Sequence, residues 1–441
     1  MTKYIIKGGQ PLKGAVRIGG AKNSSFKLMI ASLLGQGESR LLDISRIGDV
    51  EITKQVIEIL GGQVKNPGKG TVFINPDKIK NCRIPQDFGY KSRASIMFAG
   101  PLLARCGKAF LPLPGGDRIG RRPVDRHLDG LQALGAKIKH LNGFICLESP
   151  GLKGCKFRFA KNTHTGTETL IMAAVLAKGT TILENAALEV EIDDLISFLN
   201  KMGGKIKRLP NRIIKIEGVK KLKGTIHKAM PDRNEAVSYA CAALATKGDI
   251  IIENAQADHL KSFLAKVKEA GGHYETGHYG LRFWYEKPLR ATNITTEPHP
   301  GFMTDWQALW TTLMTQAKGQ SEIVETVYEY RFAFVQDLQK MGAKMELFNP
   351  QVKNPEQFYS FNLNDDQPHN YHAVRVFGST PLKGTDLKVT DIRAGATLML
   401  AALMAKGQST LWDDGHIQRG YEDLDLRLKA LGAQIKKVND H

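Results

Sequence analysis

Six glycine turns, almost evenly spaced, limit what this chain can fold into. Each one ends a helix and opens a strand: Gly37 (GQGESRLLDI), Gly107 (RCGKAFLPL), Gly179 (AKGTTILENA), Gly248 (TKGDIIIENA), Gly319 (AKGQSEIVET) and Gly407 (AKGQSTLWDD). The steps between them are 70, 72, 69, 71 and 88 residues. A second glycine closes the helix after each strand, in Leu60-Gly-Gly, Leu134-Gly-Ala, Met202-Gly-Gly, Ala270-Gly-Gly, Met341-Gly-Ala and Leu431-Gly-Ala. Glycine after an amphipathic helix is the expected stop. The chain is therefore an internal repeat of helix, strand, helix, strand. A further strand carries Leu12-Lys-Gly, Leu152-Lys-Gly, Leu222-Lys-Gly and Leu382-Lys-Gly. Six units of about 70 residues predict two α/β domains of three units each. The long last step places an extra polar segment near 349–370, expected to be a surface loop or hairpin.

The repeat also picks out functional positions. Fourteen residues before each turn glycine stand Asn23, Arg93, Thr165, Asn234, Asp305 and Arg393, each opening an otherwise apolar helix. Helix capping accounts for Asn, Thr and Asp at such a place. It does not account for Arg93 and Arg393, nor for Lys22 beside Asn23. A cation at the positive end of a helix costs stability unless an anion lies between them. Eleven to thirteen residues before the second glycines stand Asp49, Arg122, Glu191, Asp258, Arg331 and Arg419, read as a second set of helix starts. If these starts face one cleft, Lys22, Arg93, Arg122, Arg331, Arg393 and Arg419 converge, with Asp117 and Asp305 among them. Such a group suits several phosphates or carboxylates, with acids at hand for proton transfer. The stretch Pro112–Asp125 holds three further glycines (Gly115, Gly116 and Gly120), Asp117 and three arginines, and Pro123 is expected at the first position of the helix that follows.

Composition narrows the partners. Of 441 residues, 42% are hydrophobic and 24% charged, as in a soluble globular protein, and the net charge is +18. That charge suits a polyanionic small substrate on a lysine-rich surface. The sequence has no basic stripe interleaved with aromatics, so nucleic acid is not expected as a partner. The apolar runs are too short for membrane insertion, and the amino terminus does not read as a signal peptide, so a cytoplasmic location is expected. Cys82, Cys106, Cys146, Cys155 and Cys241 have neither disulfide-like nor metal-ligand spacing, so free thiols are expected, with no metal and no cofactor.

The ordered motifs resemble the UDP-N-acetylglucosamine enolpyruvyl transferase family. They are Gly20-Ala-Lys-Asn23, Arg93-Ala-Ser95, Leu113-Pro-Gly-Gly116, Arg122-Pro-Val-Asp125, Pro231-Asp-Arg233, Pro298-His-Pro300, Thr304-Asp305, Arg331-Phe332, Thr390-Asp-Ile-Arg393 and Arg419-Gly-Tyr-Glu422, and they cover essentially the whole chain. The resemblance implies two inside-out α/β barrels of three units each. One domain would be 22–230, carrying a catalytic loop at 112–121. The other would be 1–21 plus 231–441, with the active site between the two. The implied reaction transfers the enolpyruvyl group of phosphoenolpyruvate to the 3′-hydroxyl of UDP-N-acetylglucosamine, the first committed step of peptidoglycan precursor synthesis. It implies Lys22, Arg122 and Arg419 as phosphoenolpyruvate ligands, and Arg93, Arg331 and Arg393 around the anions. Asn23 and Asp305 would hold the sugar, with Asp305 as base and Arg393 in the catalytic set. Pro123, Val124, Asp125, Thr165, Gly166 and Val327 would complete the substrate contacts. Arg126 and Thr165 depart from the apolar residues common in the family. Related readings are a shikimate 3-phosphate transferase, a paralogue using another nucleotide sugar, and an RNA-end-processing protein of similar repeats. The last needs a histidine nucleophile, and His127, His164 and His416 stand in enolpyruvyl transferase contexts.

Asp117 stands where most of that family has cysteine. The implied role is proton donation to the methylene carbon of phosphoenolpyruvate, or an aid to product release; a carboxyl group donates only when protonated. An ordinary aspartate has a pKa of about 3.9, and neighbouring arginines favour its ionised form. Asp117 is therefore expected to be ionised in the empty enzyme and to take up a proton in the complex. A shifted acid limb in the pH–rate profile of Asp117→Cys, relative to wild type, is the expected outcome. Superimposable acid limbs would remove the general-acid role.

Overall fold

The structure, a computed structural model, describes residues 1–115 and 120–439, without the side chains of Arg393 and Asn439. Asp117 and Arg118 lie outside the described residues. The chain divides into two compact units. The first unit comprises 20–115 and 123–230; the second comprises 1–19, 120–122 and 231–439. Each has its own apolar core.

Both units repeat one sheet plan. In the third repeat, Lys156–Arg158 pairs in parallel with Thr180–Glu184, which pairs antiparallel with Ile213–Glu217, which pairs antiparallel with Lys205–Leu209. The same order recurs in the fifth repeat, through Ile294–Thr295, Gly319–Val324, Ala373–Gly378 and Lys344–Phe348. Along these strands one face is buried and the other is not, as with Ile214 and Ile216 inward in Ile213–Glu217.

Two strands pair away from the helices that follow them in sequence. Lys13–Arg17 leads into the first unit but pairs in parallel with Asp249–Glu253 of the second. Ile226–Lys228 leads into the second unit but pairs in parallel with Ser39–Leu42 of the first. The amino-terminal strand Thr2–Lys7 lies between Gln408–Asp413 and Gln434–Asn439, and so completes the sheet of the sixth repeat. The Leu-Lys-Gly segments run in parallel beside the turn-glycine segments, as in the bridges Lys153 to Lys178 and Lys383 to Lys406. In three of the four the glycine leaves no room for a side chain: a Cβ on Gly154, Gly224 or Gly384 would fall 2.1 to 2.3 Å from a backbone carbonyl oxygen.

The sheets cover central helices, and we label these α1 (Lys22–Ala31), α2 (Ala99–Cys106), α3 (His164–Ala174), α4 (Arg233–Ala245), α5 (Thr304–Met314) and α6 (Ile392–Met404). In the first unit α2 packs on α3, and the 3-10 turn Arg93–Phe98 ahead of α2 touches both α1 and α3. In the second unit α4, α5 and α6 pack on one another. These helices are buried almost all round. In α1 only Lys22 and Asn23 escape full burial, in α3 only His164 and Thr165, and in α5 only Asp305.

Three expectations need correction. The slot residues do not cap their helices. Asn23, Thr165, Asn234, Asp305 and Arg393 are second helical residues, and Arg93 is the first of its 3-10 turn. The caps with bonding side chains are Ser92, Thr163, Asp232 and Asp391, one or two residues earlier. Pro123 is not the first helical residue, because the helix Asp125–Ala133 is preceded by Val124 in the capping position. In the second set, Asp49, Glu191 and Asp258 are second residues of their helices, but Arg122, Arg331 and Arg419 are not. The helices Asp125–Ala133, Val335–Lys340 and Leu424–Ala430 begin several residues later. Acids are favoured at the positive end of a helix and arginines are not, so each arginine falls in the segment before the helix. The extra segment of the fifth repeat is a loop between two hairpin strands, with a short helix at Pro355–Phe358 and a 3-10 turn at Leu363–Asp365.

Gly20 seats the start of α1. A Cβ there would lie 1.6 Å from the Asp43 carbonyl oxygen and 3.2 Å from the Ala229 Cβ. The Asp43 carbonyl is backbone and the Ala229 methyl has no rotamer through which to yield, so Gly20→Ala should destabilise the protein by about 3 kcal/mol. Chemical denaturation checks this, and an unchanged midpoint would contradict the packing.

Candidate active site

The first unit gathers its polar residues at the open ends of buried helices. Lys22, first residue of α1, forms an ion pair of 2.6 Å with Asp49, itself the second residue of Gly48–Ile59. The anion needed at that helix start is thus supplied from within the protein. Asn23, next along, is half-buried. Ser24 then turns inward and donates to Asp194, which also accepts from the Met230 amide at 3.3 Å and pairs with His227 at 2.8 Å. This polar cluster fixes the first turn of α1 against the segment that leaves the unit.

Around α3 a second cluster forms. Arg93 donates to the Pro123 carbonyl at 3.2 Å. His127, on Asp125–Ala133, has its Nε2 2.9 Å from the Thr165 hydroxyl. Arg126 donates to the Asn162 carbonyl at 3.2 Å. His127, which sequence reasoning had not placed in the site, thereby joins Thr165 to Val124, whose carbonyl accepts from the His127 amide at 2.9 Å. Burial pushes the His127 pKa down to about 3, with Arg93 adding to the effect against a backbone hydrogen bond at Val124. His127 is therefore a neutral imidazole. Beneath this cluster Lys27 is fully buried and paired with Glu168 at 2.7 Å, with His164 2.9 Å from its amine. For His164, burial works downward, but Glu168 outweighs it and holds the pKa above its ordinary value.

The second unit makes its own constellation. Asp305 lies 3.6 Å from Arg331, and Arg331 donates to the Thr304 carbonyl at 2.8 Å. Glu325 joins these groups to Val327. Its carboxylate accepts from the Thr304 hydroxyl at 2.9 Å and from the amides of Val327 and Tyr328 at 2.7 and 3.1 Å. Burial raises the Glu325 pKa, while Arg331 pulls the other way. Trp306 is fully buried and donates to Asn234 at 2.9 Å, which turns its neighbour Asp305 to the open end of α5. Asn234 is buried in that bond, and so serves structure at its slot. Arg419 stands on the short helix His416–Gly420, whose first amides are held by Asp413 at 2.8 and 3.3 Å. A Cβ on Gly420 would fall 2.1 Å from the Ile392 side chain, so the backbones bearing Arg419 and Arg393 run close together. Behind them Arg427 pairs with Glu235 at 2.9 Å and Glu422 at 3.5 Å.

Glu325 was missed, although the repeat held a signal for it. An acid recurs five or six residues after most turn glycines, as Asp43, Glu184, Glu253, Glu325 and Asp413. In Glu325 and Asp413 it has become the acceptor for the next turn's amides. Among the described residues, no helix is long and apolar enough to cross a membrane.

Comparison with known proteins agrees with this architecture. The EPSP synthase (3-phosphoshikimate 1-carboxyvinyltransferase) family profile matches residues 6–428. A UDP-N-acetylglucosamine 1-carboxyvinyltransferase of Halothermothrix orenii is 39% identical over 438 residues, covering 99% of this chain and 100% of its own. A second, from Caldanaerobacter subterraneus, is 41% identical over 434 residues, covering 98% and 99%. This chain belongs to that family. It is an enzyme, a transferase of the enolpyruvyl transferase type. Solved structures share the fold. The enolpyruvyl transferase NikO of Streptomyces tendae superposes with a TM-score of 0.84 at 23% identity, over 99% of this chain and 98% of its own. The EPSP synthase of Acinetobacter baumannii gives 0.75 at 17% identity, over the whole of both chains.

The neutral state of His127 carries a pH dependence. Its folded pKa lies below the ordinary 6.5, so it stabilises the fold above that pH and the contribution is lost as pH falls from 6.5 towards 3. The slope is about 1.4 kcal/mol per pH unit. Between pH 7.5 and 5 the wild type should lose about 2 kcal/mol more than His127→Gln. Denaturant titrations at the two pH values measure this, and parallel losses would contradict a neutral His127.

Proposed function

We propose that this enzyme transfers the enolpyruvyl group of phosphoenolpyruvate to the 3′-hydroxyl of UDP-N-acetylglucosamine, releasing phosphate, in peptidoglycan precursor synthesis in the cytoplasm. The observation that carries the reading is identity of 39% and 41%, over nearly full length, to enzymes bearing that name. The charged groups at the helix ends suit the chemistry. Lys22, Arg93, Arg122, Arg331, Arg393 and Arg419 supply cations for a phosphate, a carboxylate and a diphosphate. Arginine forks meet such oxygens two at a time.

In the proposed sequence the 3′-hydroxyl adds to C2 of phosphoenolpyruvate while C3 gains a proton. A tetrahedral adduct forms, then loses a proton from C3 and expels phosphate. Asp305 takes the hydroxyl proton; its carboxylate stands at the open end of α5 with Arg331 beside it. Asp117 gives the proton to C3. Asn23 and Val327 contact the sugar nucleotide, and the segment Pro123–Asp125 with Thr165 and Gly166 forms the nucleotide side.

Phosphate release from phosphoenolpyruvate should occur with UDP-N-acetylglucosamine and not with UDP-glucose, UDP-N-acetylgalactosamine or shikimate 3-phosphate. Asp305→Ala should lower kcat by about 10²- to 10⁴-fold, the range for losing a general base. Turnover of another acceptor in preference, or an Asp305→Ala variant at wild-type rate, would overturn the assignment concerned.

A further inference from the structure

The fifth repeat is longer than the others, its glycine-to-glycine step being 88 residues against 69 to 72. The added length lies between the strands Lys344–Phe348 and Ala373–Gly378. We infer that this inserted segment is a docking element for residues 120–122, with Asp365 as the positioning residue that holds Arg121.

The segment is built as an ordered platform. Tyr359, Phe361 and His372 pack their rings at a tilt, with centroids 4.8 to 5.2 Å apart. Asp366 accepts from Asn370 at 2.8 Å and pairs with His372 at 2.8 Å. The Ser360 amide donates to the Thr326 carbonyl at 2.7 Å, which ties the platform to the turn that Glu325 organises. Asp365 is held at the end of a 3-10 turn with its side chain only 9% exposed. Asn362 donates to one of its oxygens at 3.3 Å, and Arg121 donates to the other at 2.8 Å.

A second contact acts on the same three residues. The buried Glu329 accepts from the Arg121 backbone amide at 2.5 Å. A Cβ on Gly120 would lie 2.4 Å from that carboxylate, so only glycine lets the chain approach so closely. The next residue, Arg122, has φ +45°, a conformation that a non-glycine residue holds only when its surroundings enforce it. An exposed ion pair alone enforces little. Here Arg121 is exposed, but its partner is a nearly buried carboxylate on an ordered turn, and Glu329 grips the backbone beside it. Together they fix the backbone of Arg122. The further consequence, that Asp365 sets where Arg122 meets phosphoenolpyruvate, rests on the function proposed above; the docking itself does not.

Hydrogen exchange of the wild-type protein reads the docking directly. Asp365→Ala should speed exchange of the 120–122 amides about three- to tenfold while exchange within Ala373–Gly378 stays unchanged. The exchanged pair Arg121→Asp with Asp365→Arg should restore protection. If Asp365→Ala also loosens 355–372, Arg121→Ala decides, since it leaves the platform intact: it must loosen 120–122 alone. Unchanged exchange at 120–122 in Arg121→Ala, or in a folded Asp365→Ala, would overturn the inference. In the phosphate-release assay Asp365→Ala should raise KM for phosphoenolpyruvate more than it lowers kcat, and the exchanged pair should recover it. If the wild type turns over no phosphoenolpyruvate, the proposed function fails while the exchange result still decides the docking.

Discussion

Complete burial of the central helices is the constraint on which the rest of this protein depends. A helix enclosed on every side has no face on which charge can meet water. In α1, α3 and α5 the escape is at the first one or two residues, where Lys22, Asn23, His164, Thr165 and Asp305 stand. Those ends also carry amide groups without helical partners. Burial thus places the polar side chains and the free backbone donors of these three repeats at the same spot. An ordinary amphipathic surface helix would have spread them along its length.

The helix dipole then sorts the charges. Asp49, Glu191 and Asp258 occupy second helical positions, where a negative charge is favoured. Arg122 and Arg331 fall in the stretches before their helices, Arg419 lies in the last turn of His416–Gly420, and Arg122 takes a left-handed backbone conformation. Lys22 does sit on a helix start, and there Asp49 offsets it at 2.6 Å. Buried carboxylates do comparable work behind the exposed ones. Glu325 links Thr304, Val327 and Tyr328, and so relates the start of α5 to the loop that holds Arg331.

Much of this was legible in advance because repeats are read from spacing, and spacing survives without coordinates. The second glycines of all six repeats have positive φ, as their place after a helix implied. Among the first glycines the fourth repeat differs: Lys247 takes the left-handed conformation at φ +57°, and Gly248 is required instead by its approach to the Leu12 carbonyl. The slot fourteen residues earlier marked a helix start in every repeat, but not the residue that caps it. Capping depends on backbone angles one or two residues upstream, which Ser92, Thr163 and Asp232 adopt and the slot residues do not. Pro123 was misplaced for the same reason, since proline suits the turn before a helix as well as its first position.

The order of residues alone determined the six repeats, the glycine stops, the polar slots at the mouths of apolar helices and the family to which the chain belongs. These follow from local rules, in which period, turn chemistry and motif order involve residues close together in the chain. Only the tertiary structure decided that Lys13–Arg17 and Ile226–Lys228 pair outside the run of sequence they open, that Thr2–Lys7 completes the last sheet, and that His127 meets Thr165. It alone decided that Asp365 meets Arg121, residues 244 apart in the chain. Such partners are chosen by which surfaces remain unpaired once the local elements have formed, and no local pattern records that choice.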